Sequence, residues 1–209
     1  MLSSHNGTDA NPKLLESKLA NSPEFFCEVI QLLYRSEKEE ATTKETSEKA
    51  IAIAEKAWRL LTEWETPPGT DDAGTFNVEH FNQWLERVKT LCSESGHWNA
   101  AQTKIGNVLI HAPADPNGLW IHQAVATVLD GIDTEDMREG FRIGRFNLRG
   151  AYTVDPSGAP ETKLAEQCNR EAEELENAGF CRFAVTLKDL ARHYKQMAER
   201  VIDEYKREE

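Results

Sequence analysis

Four arginines recur at helical spacing in the second half of the chain: Arg138, Arg142, Arg145 and Arg149. Steps of four, three and four place all of them on one face of a helix. Between 138 and 149 the only acid is Glu139, so the stretch is cationic in a chain whose formal net charge is −12. A guanidinium is a planar fork of donors that matches carboxylates and phosphates. Two readings follow. Either the stripe is a site for an anion, RNA or an acidic peptide, or it is consumed by ion pairs with acidic neighbours such as the Glu-rich segment 171–176. Gly140 and Gly144 would admit a ligand, or another backbone, at close range, and Phe141 and Phe146 would anchor the flanks. Trp120, beside the turn Asp115-Pro116-Asn117-Gly118, joins the candidate binding residues. It would face a partner or pack in the core.

Other chemistry has weaker sequence support. His111, Asp115 and His122 are the right types for a catalytic zinc site, but no H-E-x-x-H or comparable spacing accompanies them. They read as polar residues at helix ends. His5, His80, His97 and His193 have no ligand spacing. There is no G-x-S-x-G elbow and no Walker loop, so the sequence assigns no catalytic residue, metal or cofactor, and the chain reads as a non-enzyme. A helix-turn-helix DNA reader over 121–149 is opposed by the net charge and by the Glu135-Asp136 start of its second helix. The same charge disfavours nucleic acid in general and an anionic membrane. Cys27, Cys92, Cys168 and Cys181 form no C-x-x-C pair and read as reduced core thiols. No secretory leader and no apolar run long enough to span a membrane is legible, which points to a cytoplasmic location.

The elements that would position these residues are helices. Ser22-Pro23 is a cap followed by proline at the first helical position, and Phe26, Val29, Ile30 and Leu33 then mark one face. Residues 36–47 read as a loop. A helix over about 48–65 carries two stripes, Ile51, Ala54, Trp58, Leu61 and Ile53, Ala57, Leu60, Trp64. Burial on two sides inside a helical stack is expected from that pattern. Asn77 caps a third helix, Gly96 stops it, and a fourth begins at Trp98 and closes at Pro113. A fifth helix is expected over 119–130, a sixth from an Asp133 cap to Asn147, and a seventh over 161–178. Trp58, Trp84 and Trp98 read as core. After Gly179 the longest helix carries Phe180, Phe183, Leu187, Leu190, Tyr194, Met197 and Val201, with Ala184, Ala191 and Ala198 seven apart beside them. That small-residue seam fits an antiparallel partner at close approach, and the preceding helix is the natural one.

The expected fold is all-α: antiparallel helical hairpins in a short solenoid-like or irregular bundle, with residues 1–21 as a flexible or weakly helical lead-in and 22–209 as one domain. A hydrophobic content of 39% and a mean hydropathy of −0.60 suit thin layers of helices that each bury one stripe. Gly96, Trp98, Ala101, Ile105, Val108 and Pro113 resemble the second helix of a tetratricopeptide unit, although Lys89 and Cys92 stand where its first helix has a glycine and an aromatic. The run Met137-Arg138-Glu139-Gly140-Phe141-Arg142, the 147–156 segment and Leu175-Glu176-Asn177-Ala178-Gly179 resemble an uncharacterised bacterial family of C-terminal helical regions of larger proteins. The resemblance implies one module of a larger bacterial system. Together these features point to a protein-interaction module of scaffold or sensor type with a protein partner. The linkers 66–77, 113–118 and 148–160, rich in Pro, Gly and Asp, are where such binding would reside. The alternative is an anion or nucleic-acid binder working through the arginine face.

Overall fold

A computed structural model of the chain describes residues 12–38, 48–71, 73–150 and 154–208. Parts of the lead-in and of the loops expected at 36–47 and 148–160 lie outside those residues. The described residues form helices joined by turns, with one isolated antiparallel bridge between Thr70 and Phe76. The fold is all-α. The chain forms two compact units, Met1–Ala101 and Gln102–Glu209, where one domain from residue 22 is expected from the sequence.

The first unit holds α1 (Pro12–Asn21), α2 (Pro23–Leu33), α3 (Glu48–Thr62) and α4 (Val78–Ser95). Helix α1 anchors its C-terminal end with Leu19 and Ala20, both fully buried. Ser22 caps α2 by accepting from the Phe25 amide at 3.3 Å, with Pro23 at the first position. Phe26 from α2 meets Trp84 from α4 and Trp64, just past α3, with ring centroids 5.1–6.3 Å apart. The Trp84 indole N–H donates to the Leu19 carbonyl, so the largest core side chain has its polar atom satisfied. Asn77 Oδ1 accepts from the His80 amide at 2.9 Å, and Gly96 ends α4 at φ 71°, a left-handed conformation that glycine adopts without Cβ strain. Ser36 and Lys38 then donate to the last carbonyls of α4, supplying partners for groups a helix end leaves open.

Helix α3 departs from the two-sided burial expected of it. Only Ala57 and Leu61 are buried within it. Trp58, expected in the core, is 56% exposed.

Helix α5 (Trp98–Leu109) leads into the second unit, which holds α6 (Gln123–Leu129), α7 (Glu135–Asn147), α8 (Ala159–Asn177) and α9 (Cys181–Glu208). Helix α6 starts later than the periodicity predicts because Asp115 organises the preceding turn. Its carboxylate accepts from the Asn117 and Gln123 amides at 2.8 and 2.9 Å. Thr134, not Asp133, precedes α7, and its hydroxyl donates back to the carbonyls of Val128 and Gly131. Where α5 and α7 cross, glycine is required. A Cβ at Gly106 would collide with the Met137 carbonyl, and one at Gly140 with the Thr103 carbonyl. Helices α8 and α9 form the expected antiparallel hairpin across Gly179, with Ala165, Cys168, Leu190, Ala191 and Tyr194 in one buried cluster. Ala184, Ala191 and Ala198 are all buried, as a close seam demands.

Candidate functional site

Helix α7 carries Arg138, Arg142 and Arg145 while burying Met137, Gly140, Phe141 and Gly144, whereas Arg149, expected on the same helical face, lies in the turn past its end. Gly140 and Gly144 serve the approach of another backbone, that of α5, rather than a ligand. Each arginine has a different partner. Arg138 Nη1 donates to the carbonyls of Leu129 and Gly131 at 2.9 and 2.6 Å and to Thr134 Oγ1 at 3.2 Å. It thereby places a cation on the open carbonyls at the end of α6, and burial holds its pKa below the ordinary arginine value. Arg142 makes a bidentate pair with Glu139 at 2.7 and 2.6 Å. This bond raises the Arg142 pKa and lowers that of Glu139. Arg145 donates to Glu171 at 2.6 Å and lies 5.4 Å from the centroid of the Trp120 ring. Arg149 pairs with Glu161, a carboxylate with no solvent exposure.

The stripe is thus divided among internal partners instead of forming one anion-facing surface. Glu171 and Glu161 stand 26 and 12 residues from their arginines. Trp120 packs against Phe141 and Phe183, and its indole N–H donates to the Glu171 carbonyl. Trp120 belongs to the same internal network.

A groove of about 770 Å³ runs between α7 and α9. Arg138, Arg142, Arg182 and Arg192 line it, but so do Glu135, Asp136, Glu139 and Asp189. Arg192 pairs with Asp189 at 2.9 Å, and Arg182 lies 3.8 Å from Asp130. The charges balance, so an entering anion would have to displace a carboxylate already in place.

The histidine and acid cluster is also local structure. His122 Nδ1 accepts from the Ala124 amide at 3.2 Å and lies 3.9 Å from Asp115 Oδ2. Among the described residues no three His, Cys, Asp or Glu side chains gather as a metal site. No described helix is long and apolar enough to cross a membrane.

The surface the sequence did not single out is on α3. Ile51 and Ile53 are 48% and 54% exposed, and Trp58 stands out on the same helix. Every residue from Glu48 to Ile53 is exposed. Leu14 of α1 and Leu32 of α2 add exposed apolar side chains to the same unit. Scattered single exposures are ordinary, but three large apolar residues within eight positions of one helix are not. The signal was present as the doubled stripe, which is the mark of a helix with two apolar faces whether or not the chain itself covers both.

No protein-family model matches the chain, and no curated protein or solved structure is similar to it.

Proposed function

We propose that the chain is a non-enzymatic protein-interaction module, of scaffold or sensor type within a larger assembly, and that α3 is its docking helix. The observation that carries this reading is the exposed apolar face formed by Ile51 and Trp58, with Ile53 exposed on the other apolar stripe of the same helix. Tryptophan is the residue type most enriched among the energetic anchors of protein interfaces. Ile51 and Trp58 are seven residues apart, two helical turns, with the small Ala54 between them. That spacing suits a partner helix with apolar side chains in steps of three and four, which can set a knob into the gap over Ala54.

The occupant is a helix of a different protein. Two copies of a chain with net charge −12 repel each other at long range. Around the apolar face the charges balance, Glu48, Glu55 and Glu63 against Lys49, Lys56 and Arg59, giving a polar rim that opposes neither sign of partner. The anion and nucleic-acid reading has less support, because each arginine it would use already faces a carboxylate or backbone carbonyls.

A photoreactive phenylalanine analogue at position 58, introduced in host cells, tests this. The expected result is one discrete heterologous adduct that disappears in the Ile51→Glu variant. An adduct with the mass of two copies of this chain would replace the partner with self-association. Absence of any adduct from well-expressed protein would overturn the docking role of α3.

A further inference from the structure

Two thiols of the first unit meet in its interior. Cys27 on α2 and Cys92 on α4 are 65 residues apart in sequence, yet their sulfur atoms lie 3.1 Å apart. Both side chains are buried. A disulfide bond is about 2.05 Å long, so roughly 1 Å of sulfur movement separates this pair from a covalent link. Cys27 also borders a groove of about 440 Å³ lined by Glu24, Glu28, Leu91, Glu94 and Ser95, which gives a small molecule a way toward the sulfurs.

We propose that Cys27 and Cys92 are a reversible redox site, closing to an intramolecular disulfide when a small neutral peroxide enters this groove. The rim selects the oxidant. Glu28 and Glu94 repel anionic disulfides such as oxidised glutathione, the third rim glutamate, Glu24, being paired with Arg87 at 2.8 Å, whereas hydrogen peroxide is uncharged and small enough to enter. Cys92 Sγ donates to Cys27 Sγ, which in turn points to the Val88 carbonyl, and Cys27 is the sulfur that borders the groove.

The steps balance. The thiolate of one of the two cysteines attacks one peroxide oxygen, an S–O bond forms as the O–O bond breaks, and the departing hydroxide takes up the proton that thiol had released, giving water. The other sulfur then attacks the sulfenic acid. The S–S bond forms, the S–O bond breaks, and hydroxide leaves as a second water with the second thiol's proton. One peroxide is reduced and two thiols are oxidised. Cys168 and Cys181 belong to the second unit, the first buried and the second exposed, and serve as internal references.

The test treats the full chain, with Cys181→Ser to prevent links between molecules, with hydrogen peroxide. Alkylation in denaturant and tryptic mapping follow. The expected product is peptide 19–35 joined to peptide 90–104, lighter by about 2 Da than the two thiol peptides together and separated again by dithiothreitol. A parallel sample given oxidised glutathione should form the link far more slowly. Cys27 and Cys92 that stay fully alkylatable, while Cys181 of the unsubstituted chain oxidises, would overturn the proposal. Sulfinic acid on either residue without the linked peptide would overturn it equally.

Discussion

Replacing Gly140 by alanine isolates the crossing of α5 and α7 from every other feature of the second unit. In an exposed helix the change would stabilise by about 1 kcal/mol, because alanine loses less backbone entropy than glycine. At Gly140 the new methyl would fall inside contact distance of the Thr103 carbonyl oxygen, carbon and Cα, all backbone atoms. No rotamer change relieves that collision, so the helices must separate. Overpacking of this kind costs about 1–3 kcal/mol, and a backbone obstacle places the cost at the upper end. The net effect is a loss of about 2 kcal/mol, equivalent to a fall of roughly 10 °C in the melting temperature of a unit this size. Gly144→Ala is the matched comparison. Its methyl would meet the Ile110 methyl at 3.1 Å and the backbone and side-chain oxygens of Asn107 at 3.2 Å, a tight fit that shifts of a few tenths of an ångström relieve. There the helical gain and the crowding nearly cancel, and a change within about 0.5 kcal/mol is expected. Thermal unfolding followed by circular dichroism and calorimetry gives both numbers. Equal or greater stability for Gly140→Ala, or the same effect at both positions, would refute the crossing.

Three further outcomes follow from the second unit. Ala191→Leu should cost about 1–3 kcal/mol in a denaturant titration by overfilling the α8–α9 seam, where Ala191 is buried against Leu190 and Tyr194 in one cluster; an unchanged midpoint would mean the seam is loose. Glu171→Ala should cost about 2–3 kcal/mol by leaving Arg145 poorly exposed without its carboxylate, whereas Arg142→Ala should cost less than about 1 kcal/mol because its pair with Glu139 is more exposed; the reverse order in urea titrations would contradict the assigned pairing. Asp115 has its pKa held below 3.8, first by the Gln123 amide and then by the Asn117 amide. A depressed folded pKa contributes stability that is present above 3.8 and is lost as pH falls through the lower folded value. Melting temperatures recorded from pH 7 to pH 2 should therefore fall less steeply below 3.8 for Asp115→Asn than for the unsubstituted chain, and parallel curves would remove Asp115 from the acid response.

The helices were legible where one apolar stripe met one buried face. The Asn77 cap, the Gly96 stop and the alanine seam of α9 all follow from local rules, because each depends on residues a few positions away. What was hidden depended on distant residues. The doubled stripe of α3 shows that two faces are apolar, but not that Ile51, Ile53 and Trp58 lack a cover within the described chain. Helical spacing put four arginines on one side of an expected helix, yet Arg149 falls in the turn after α7, and the carbonyls at the end of α6, Glu139, Glu171 and Glu161 take the four one at a time. Helix α1 gave little periodic signal because its anchorage rests on Leu19 and Ala20 near its end. The shortening of α6 turns on one side chain, Asp115, whose bond to the Gln123 amide precedes the helix. Cys27 and Cys92 carried no motif, since their meeting depends on the packing of α2 against α4.

The most direct test of the docking helix is the affinity of the protein captured at position 58, measured by calorimetry against the unsubstituted chain, Trp58→Ala and Arg142→Glu. Loss of a buried tryptophan anchor costs about 2 kcal/mol or more at an interface, so Trp58→Ala should weaken binding by roughly 30-fold or more. Arg142→Glu should bind within about two-fold of the unsubstituted chain, as expected for a residue outside the interface. Unchanged affinity for Trp58→Ala, with the loss appearing in Arg142→Glu, would contradict the account and return the function to the arginine face.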